Sequence, residues 1–302
     1  MVAAWQIWNE PNSPGFWYPQ PDPTRLLQLI TESSVALRIV APDKQVVMPG
    51  MAYFSQMPGQ EELMFQALGK LGGLNQSWAA AYHPYLTFPE GNTEDGQDFM
   101  STAHKVNGYL RTMGTQQIWA TEWGWSSYAG PVEEQPIIGE DKQADYILRR
   151  LALLTALDFD KVFLFSLSDL DERVSVRDRS YGLLRRDASP KPAYTALQNF
   201  LHFAGERLKP LPADTHLPSA PTTVQRVVWL RQDDTQLWLF WGKTGALTLP
   251  DTAQDIILYD PQSGQNTKLD HKNRDLMIAV KPTLQMLAFR TEQNPPTRHH
   301  TR

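Results

Sequence analysis

Trp5-Gln6-Ile7-Trp8-Asn9-Glu10-Pro11-Asn12 reads as a short apolar strand that delivers a carboxylate to a loop. The proline directly after the glutamate ends the strand ladder, and Asn12, Ser13 and Gly15 continue as loop residues. A second run of the same kind, Ile118-Trp119-Ala120-Thr121-Glu122-Trp123-Gly124-Trp125, again ends an apolar stretch in a glutamate among tryptophans. Working outward from these two runs, apolar stretches alternate with helical patterns over the first 200 or so residues. Strands are expected at Val2–Trp8, Lys44–Tyr53 (ending in Pro49-Gly50), Trp78–Tyr85, Ile118–Trp123 and Lys161–Ser168. Helices are expected at Pro23–Val40, Glu61–Leu71, Asp98–Met113, Asp141–Leu157 and Lys191–Ala204.

Regular βα alternation implies parallel strands joined by crossover helices. The spacing suits an α/β (β/α)8 barrel with generous loops. Five strands do not close such a barrel, so about three βα units are expected to be missing before Glu10. The alternative is an open parallel sheet. No Gly-rich phosphate loop follows any strand, which disfavours a nucleotide-binding sheet. The expected domains are a partial catalytic barrel over 1–208 (strands four to eight), a proline-marked linker over 209–220, a small antiparallel β-sandwich over 221–290, and a disordered tail over 291–302.

At 41% hydrophobic and 20% charged residues, the chain has globular composition. Its formal net charge of −5 disfavours nucleic acid as a partner, which selects a basic surface. With no cysteine, disulfides, thiolate metal sites and a cysteine nucleophile are excluded. No apolar run is long enough to expect a transmembrane segment. Ten Trp, ten Tyr and twelve Phe supply ring faces that fill cores or stack on sugars. In the C-terminal region Trp229, Trp238 and Trp241 fit a core at least as well as a sugar site.

In a parallel barrel the carboxyl ends of the strands share one face, where sites collect. Glu10 and Glu122 both stand at such ends. Strand period places Ile118, Ala120 and Glu122 on one face, Ala79, Ala81, His83 and Tyr85 on one face, and Trp119 on the barrel exterior. Two convergent glutamates fit hydrolysis of a glycosidic bond. One carboxyl protonates the departing oxygen, and the other attacks or activates water from the opposite face.

Trp8-Asn9-Glu10-Pro11-Asn12 resembles the acid/base motif on the fourth strand of the retaining glycoside hydrolases built on (β/α)8 barrels. Thr121-Glu122-Trp123-Gly124 resembles their nucleophile motif on the seventh strand, and His83-Pro84-Tyr85 their sixth-strand His-x-Tyr. Tyr181-Gly182-Leu183-Leu184 with Ser189-Pro190-Lys191-Pro192-Ala193-Tyr194 resembles the barrel's tail. Within that clan the chain is similar to glycoside hydrolase family 39, and there to the bacterial exopolysaccharide endoglycosidase type. The resemblance spans essentially residues 1–290.

The resemblance implies a retaining, endo-acting hydrolase of oligo- or polysaccharide, without cofactor or metal, secreted or periplasmic. Glu10 would be the acid/base with a raised pKa, aided by Trp8, and Glu122 the nucleophile, kept ionised. Tyr85 would donate to Glu122, and Asn9 to the sugar 2-hydroxyl. His83 would orient Glu10 or line the acceptor side. Trp17, Tyr18, Trp123 and Trp125 would stack on sugars. Phe165 stands where such enzymes often carry a tryptophan platform. The competing expectation is a catalytically incomplete fragment acting at most as a carbohydrate-binding module. The absence of a Gly-x-Ser-x-Gly elbow and of a His-Glu-x-x-His pair disfavours other hydrolase classes.

Overall fold

The computed structural model describes residues 2–92, 97–132, 135–211, 224–270 and 275–291. The chain forms two compact units, Met1–Gly124 with Leu157–Leu167, and Trp125–Ala156 with Ser168–Arg302.

The first unit carries β1 (Ala4–Gln6), α1 (Pro23–Val40), β2 (Gln45–Ala52), α2 (Met64–Lys70), β3 (Ala79–His83), the short pair β4 (Gly91–Asn92) and β5 (Gln97–Asp98), α3 (Phe99–Thr112), β6 (Gln117–Ala120) and β7 (Lys161–Val162). β1, β2, β3, β6 and β7 form one parallel sheet in that order. The order is monotonic, with no reversal point. A segment of a closed barrel has this winding, whereas a doubly wound open sheet reverses its strand order. The open-sheet alternative is thereby set aside.

Local chemistry explains the helix boundaries. The Asp22 carboxylate caps the Arg25 amide, and Pro23 takes the first helical position, where its missing N–H is harmless. Asp98 caps α3 through the Ser101 amide in the same way. β2 falls within the expected Lys44–Tyr53 and runs through Pro49-Gly50 to Ala52. The pairing register with β3 shifts between Val47 and Gly50, and this irregularity accommodates the proline inside the strand.

β2, β3 and β6 are buried along almost their whole length, as expected of parallel strands covered on both faces. Tyr82 on β3 packs against Phe54, Phe65 and Phe159, and its hydroxyl donates to Asn107 on α3. The opposite face carries Val47, Ala79, Ala81 and Trp119, with Ala4 against them. β3 and β6 pair Ala81 with Trp119 and Tyr82 with Ala120. Trp119 therefore shares the face of Ala81 and His83, while Ile118 and Ala120 share the face of Tyr82. The expected parity of this strand is off by one residue, and Trp119 is not on the exterior. β7 is only two residues long, although the backbone amides of Phe163 and Phe165 extend its pairing to Ala120 and Trp123.

Asn12, 1% exposed, ties the loop after β1 to the end of β2. Its amide nitrogen donates to the carbonyls of Ala52 and Gln56, and its side-chain oxygen accepts from the Ala52 amide. These bonds bracket Tyr53, Phe54 and Ser55, three non-glycine residues at φ 46, 59 and 75. Each such residue costs about 1–2 kcal/mol, so the turn depends on its clamp.

The second unit contains α4 (Gly139–Thr155), α5 (Pro192–Ala204), β8 (Lys209–Leu211), β9 (Val224–Leu230), β10 (Gln236–Gly242), β11 (Ala246–Leu249), β12 (Ala253–Asp260), β13 (Gln265–Lys268), β14 (Leu276–Ala279) and β15 (Gln285–Thr291). β13-β12-β15-β10-β9-β8 form a six-stranded sheet and β11-β14 a two-stranded one, and all their described pairings are antiparallel. Both contribute to one apolar core that includes Trp238, Phe240, Leu249, Ile278 and Phe289. Trp229, Trp238 and Trp241 are all buried, so they serve as core rather than as a sugar-stacking surface. Lys209–Leu211, at the start of the expected linker, is an edge strand on β9. The remainder of that linker and the expected tail from residue 292 on lie outside the described residues.

The tail motif also has a physical reason. Lys191, 1% exposed, donates to Asp169 at 2.6 Å, to Ser127 at 3.0 Å and to the Ser180 carbonyl at 3.1 Å. Gly182 sits so close to backbone that a Cβ there would meet the Asp169 amide at 2.1 Å. Among the described residues, no helix is long and apolar enough to cross a membrane.

Removing the clamp should loosen the loop that follows Glu10. Asn12→Ala leaves the Ala52 amide and two carbonyls unpaired, and should cost about 2–4 kcal/mol of stability in urea unfolding. Asn12→Asp, which keeps only the acceptor, should fall between alanine and wild type.

Candidate active site

The end of β1 curls rather than continuing as a straight strand. Trp8 and Glu10 both adopt left-handed backbone, at φ 69 and 45. The curl is held by an isolated parallel bridge between Asn9 and Gly50 and by the Glu10 amide donating to the Gly50 carbonyl at 2.9 Å. It turns the Glu10 side chain onto the face that carries His83. Glu10 Oε1 lies 2.7 Å from His83 Nδ1.

Glu122 reaches the same place from β6. The strand ends at Ala120, and the chain then leaves its regular alternation. Glu122 Oε2 lies 3.6 Å from His83 Nδ1, and the Tyr85 hydroxyl donates to the same oxygen at 3.4 Å. Tyr85 also stands edge-on to the His83 ring. Four of the expected site residues therefore converge: Glu10, His83, Tyr85 and Glu122. His83 is fully buried, while the Glu10 and Glu122 side chains are 17% and 28% exposed.

Burial pushes the Glu122 carboxyl above its ordinary value, and the charge of Glu10 adds to this. The His83 imidazole and the Tyr85 hydroxyl act in the opposite direction. The sequence expects Glu122 to be kept ionised by donors. Here the stronger hydrogen bond of the imidazole goes to Glu10, and the bond from Tyr85 is long, so desolvation prevails at Glu122.

Two residues that sequence reading does not single out form the floor. Gly50 has no side chain for want of space, since a Cβ there would stand 2.0 Å from His83 Nε2 and 2.7 Å from Thr121 Oγ1. Thr121, two residues beyond Trp119, follows the same strand face. Gly50 reads in sequence as a strand stop, and only the register with β3 reveals its role.

The aromatic residues divide. Asn9 and Trp17 are half-buried, and Tyr18 is 90% exposed. Trp8, expected to lend Glu10 an apolar wall, is 56% exposed, and its indole N–H donates to the Phe16 carbonyl. Its ring meets Trp17 edge-on at 6.2 Å. Trp123 and Trp125 are not stacking walls. Trp123 is 2% exposed. Trp125, 8% exposed, lies in the core of the second unit against Tyr146 and under the Arg150 guanidinium. Phe165 is half-buried, its amide donating to the Trp123 carbonyl and its peptide to Ser166 cis.

Glu10, His83 and Glu122 each present a donor atom within 4.8 Å of the others, a set that could hold a cation. In the geometry described, the imidazole nitrogen of that set already engages Glu10.

Gly50→Ala should displace His83 and cost about 1–3 kcal/mol, with loss of the His83–Glu10 contact in a crystal structure. A carboxyl-carbon NMR titration should place the Glu122 midpoint above the ordinary glutamate value of about 4.3. Glu10→Gln removes a neighbouring negative charge and should bring that midpoint down. Tyr85→Phe removes a donor and should raise it.

No family model matches the chain, and no curated protein matches it. Solved structures do. A family 39 glycoside hydrolase from Bacteroides cellulosilyticus WH2 superposes with a TM-score of 0.70 at 20% identity, over 96% of this chain and 58% of that one. The family 51 arabinofuranosidase from Xanthomonas axonopodis pv. citri gives 0.62 at 11% identity, over 96% and 66%. A glucosidase from Croceicoccus marinus gives 0.59 at 12% identity, over 96% and 69%. The chain thus spans 58% of the length of the family 39 enzyme. At these identities the likeness is one of fold: the chain has the fold of the corresponding part of (β/α)8-barrel glycoside hydrolases.

Proposed function

We propose that the chain carries the catalytic centre of a retaining glycoside hydrolase, with Glu10 as general acid/base and Glu122 as nucleophile. The observation that carries this reading is the approach of the two carboxyls. They come from the carboxyl ends of two strands of one parallel sheet, and an oxygen of each lies within 4.8 Å of the other. Retaining enzymes hold their two carboxyls roughly 5–5.5 Å apart, whereas inverting enzymes need roughly 6.5–9.5 Å for an intervening water. The spacing therefore supports direct attack by Glu122 on the anomeric carbon.

In this reading Glu10 protonates the leaving oxygen as Glu122 forms the glycosyl ester. Glu10 then takes a proton from the water that breaks the ester. Tyr85, on Glu122 Oε2, holds the nucleophile's orientation, and Asn9 is assigned to the sugar 2-hydroxyl. Trp17, Tyr18 and Phe165 are assigned to contact with the sugar on the resemblance of the motifs. A nucleophile must be ionised, so the raised Glu122 pKa implies an acidic limb of kcat/KM above the ordinary glutamate range. The substrate class is assigned to an oligo- or polysaccharide cut internally, and the location to outside the cytoplasm, both on the resemblance of the motifs.

Activated aryl glycosides test the assignment. Glu122→Gln should abolish turnover, a loss on the order of 10⁴-fold or more. Glu10→Ala should remain partly active on the best leaving groups, which need little protonation. The first-formed sugar should retain its anomeric configuration by proton NMR. An inverted product would make Glu122 a base, and wild-type rates in both variants would remove both residues from the chemistry. Dialysis against EDTA should leave the rate unchanged, because the His83 nitrogen serves Glu10. Saturable sugar binding without any turnover would instead favour the carbohydrate-binding reading.

A further inference from the structure

The floor of the site contains two polar atoms with no partner among the described residues, His83 Nε2 and Thr121 Oγ1, both closed off from solvent. They crowd the same gap over Gly50, where a methyl group would stand 2.0 Å from one and 2.7 Å from the other. A bare buried imidazole nitrogen and a bare buried hydroxyl are each costly, and each is what the other lacks. We propose that the Thr121 hydroxyl donates to His83 Nε2 and so fixes the imidazole proton on Nδ1, which makes Thr121 a positioning residue for acid–base catalysis by Glu10. The inference rests on the glycosidase reading of Glu10.

Electrostatics decides which nitrogen holds the proton. Nδ1 faces Glu10 Oε1 at 2.7 Å and Glu122 Oε2 at 3.6 Å. A proton on Nδ1 meets two carboxyls, whereas a lone pair there would face their oxygens. With the proton on Nδ1, Nε2 is an acceptor and needs a donor. Among the described residues the hydroxyl at that gap is Thr121, and Gly50 offers no side chain.

The consequence falls on the other oxygen of Glu10. With Nδ1–H donating to Oε1, the acid form of Glu10 carries its proton on Oε2, which the imidazole does not hold. In the first half-reaction the Oε2–H bond breaks and the proton joins the leaving oxygen, which keeps the electron pair of the broken glycosidic bond. In the second half-reaction water gives its proton back to Oε2 as its oxygen bonds the anomeric carbon and the Glu122 ester is released. Nδ1–H stays on Oε1 throughout. In the opposite tautomer a bare Nδ1 would accept the Glu10 proton itself and hold it away from the sugar.

The test uses the chain labelled with ¹⁵N-histidine, with His83 assigned by the loss of its signals in His83→Asn. In wild type, Nδ1 should show a protonated-nitrogen shift and Nε2 an unprotonated, hydrogen-bonded one. Thr121→Val keeps the shape of the side chain and should mix the tautomers. Thr121→Ser should restore the wild-type pattern. On an activated aryl glycoside, kcat should fall about tenfold in Thr121→Val with KM unchanged, and recover in Thr121→Ser. Wild-type signals with the proton on Nε2, or on both nitrogens, would overturn the proposal, as would a valine variant matching wild type in both shifts and kcat. If wild type cleaves no aryl glycoside at all, the glycosidase reading fails, while the nitrogen shifts still decide the tautomer.

Discussion

A buried imidazole between two carboxyls is the constraint on which the site depends. Two carboxylates with oxygens within 4.8 Å of each other repel by roughly 3 kcal/mol or more at an effective dielectric of about 20. The site relieves that repulsion by supplying His83 to both, with the shorter contact to Glu10 and the longer to Glu122. The two carboxyls consequently differ in surroundings although they are the same residue type.

The sheet makes that arrangement reachable. β1 and β3 flank β2, so Glu10 and His83 are separated by one strand, and the residue between them has to be small. Gly50 meets that requirement, and its carbonyl also holds the Glu10 amide. β6, on the far side of β3, adds Thr121 to the floor and Glu122 above it. The clamp from Asn12 fixes the loop in which Glu10 ends to the strand that carries Gly50. Four sequence-distant segments thus meet because parallel strands align their carboxyl ends.

Much of this is legible in the sequence, and the limits have physical causes. The bounds of α1 follow from Asp22 and Pro23, which act locally and need no tertiary information. Glu10, His83, Tyr85 and Glu122 are recognisable as candidates because each stands at or just beyond the end of an apolar run. The face of Trp119 is not legible, because alternation within one strand gives two faces but not which of them is inward. Only the pairing of Ala81 with Trp119 settles that. Trp123 and Trp125 look like sugar walls because they neighbour Glu122, yet burial depends on long-range packing. Gly50 and Thr121 are inconspicuous for the same reason, since their importance arises from a space that three strands enclose.

The path of the chain has a consequence for its synthesis. The first unit is discontinuous: it is complete only when Leu157–Leu167 joins Met1–Gly124. That returning segment supplies β7, the Phe159 ring against Tyr82, and the Asp158 and Asp160 carboxylates that hold Arg111. While residues 125–156 emerge from the ribosome, the outer edge of β6 has no strand to pair with. The edge that carries Glu122 is therefore exposed for the time it takes to translate about thirty residues, a few seconds at about 5–20 residues per second. A nascent chain is most vulnerable to wrong pairing in that interval, and the brevity of β6 and β7, at four and two residues, keeps the unpaired edge small.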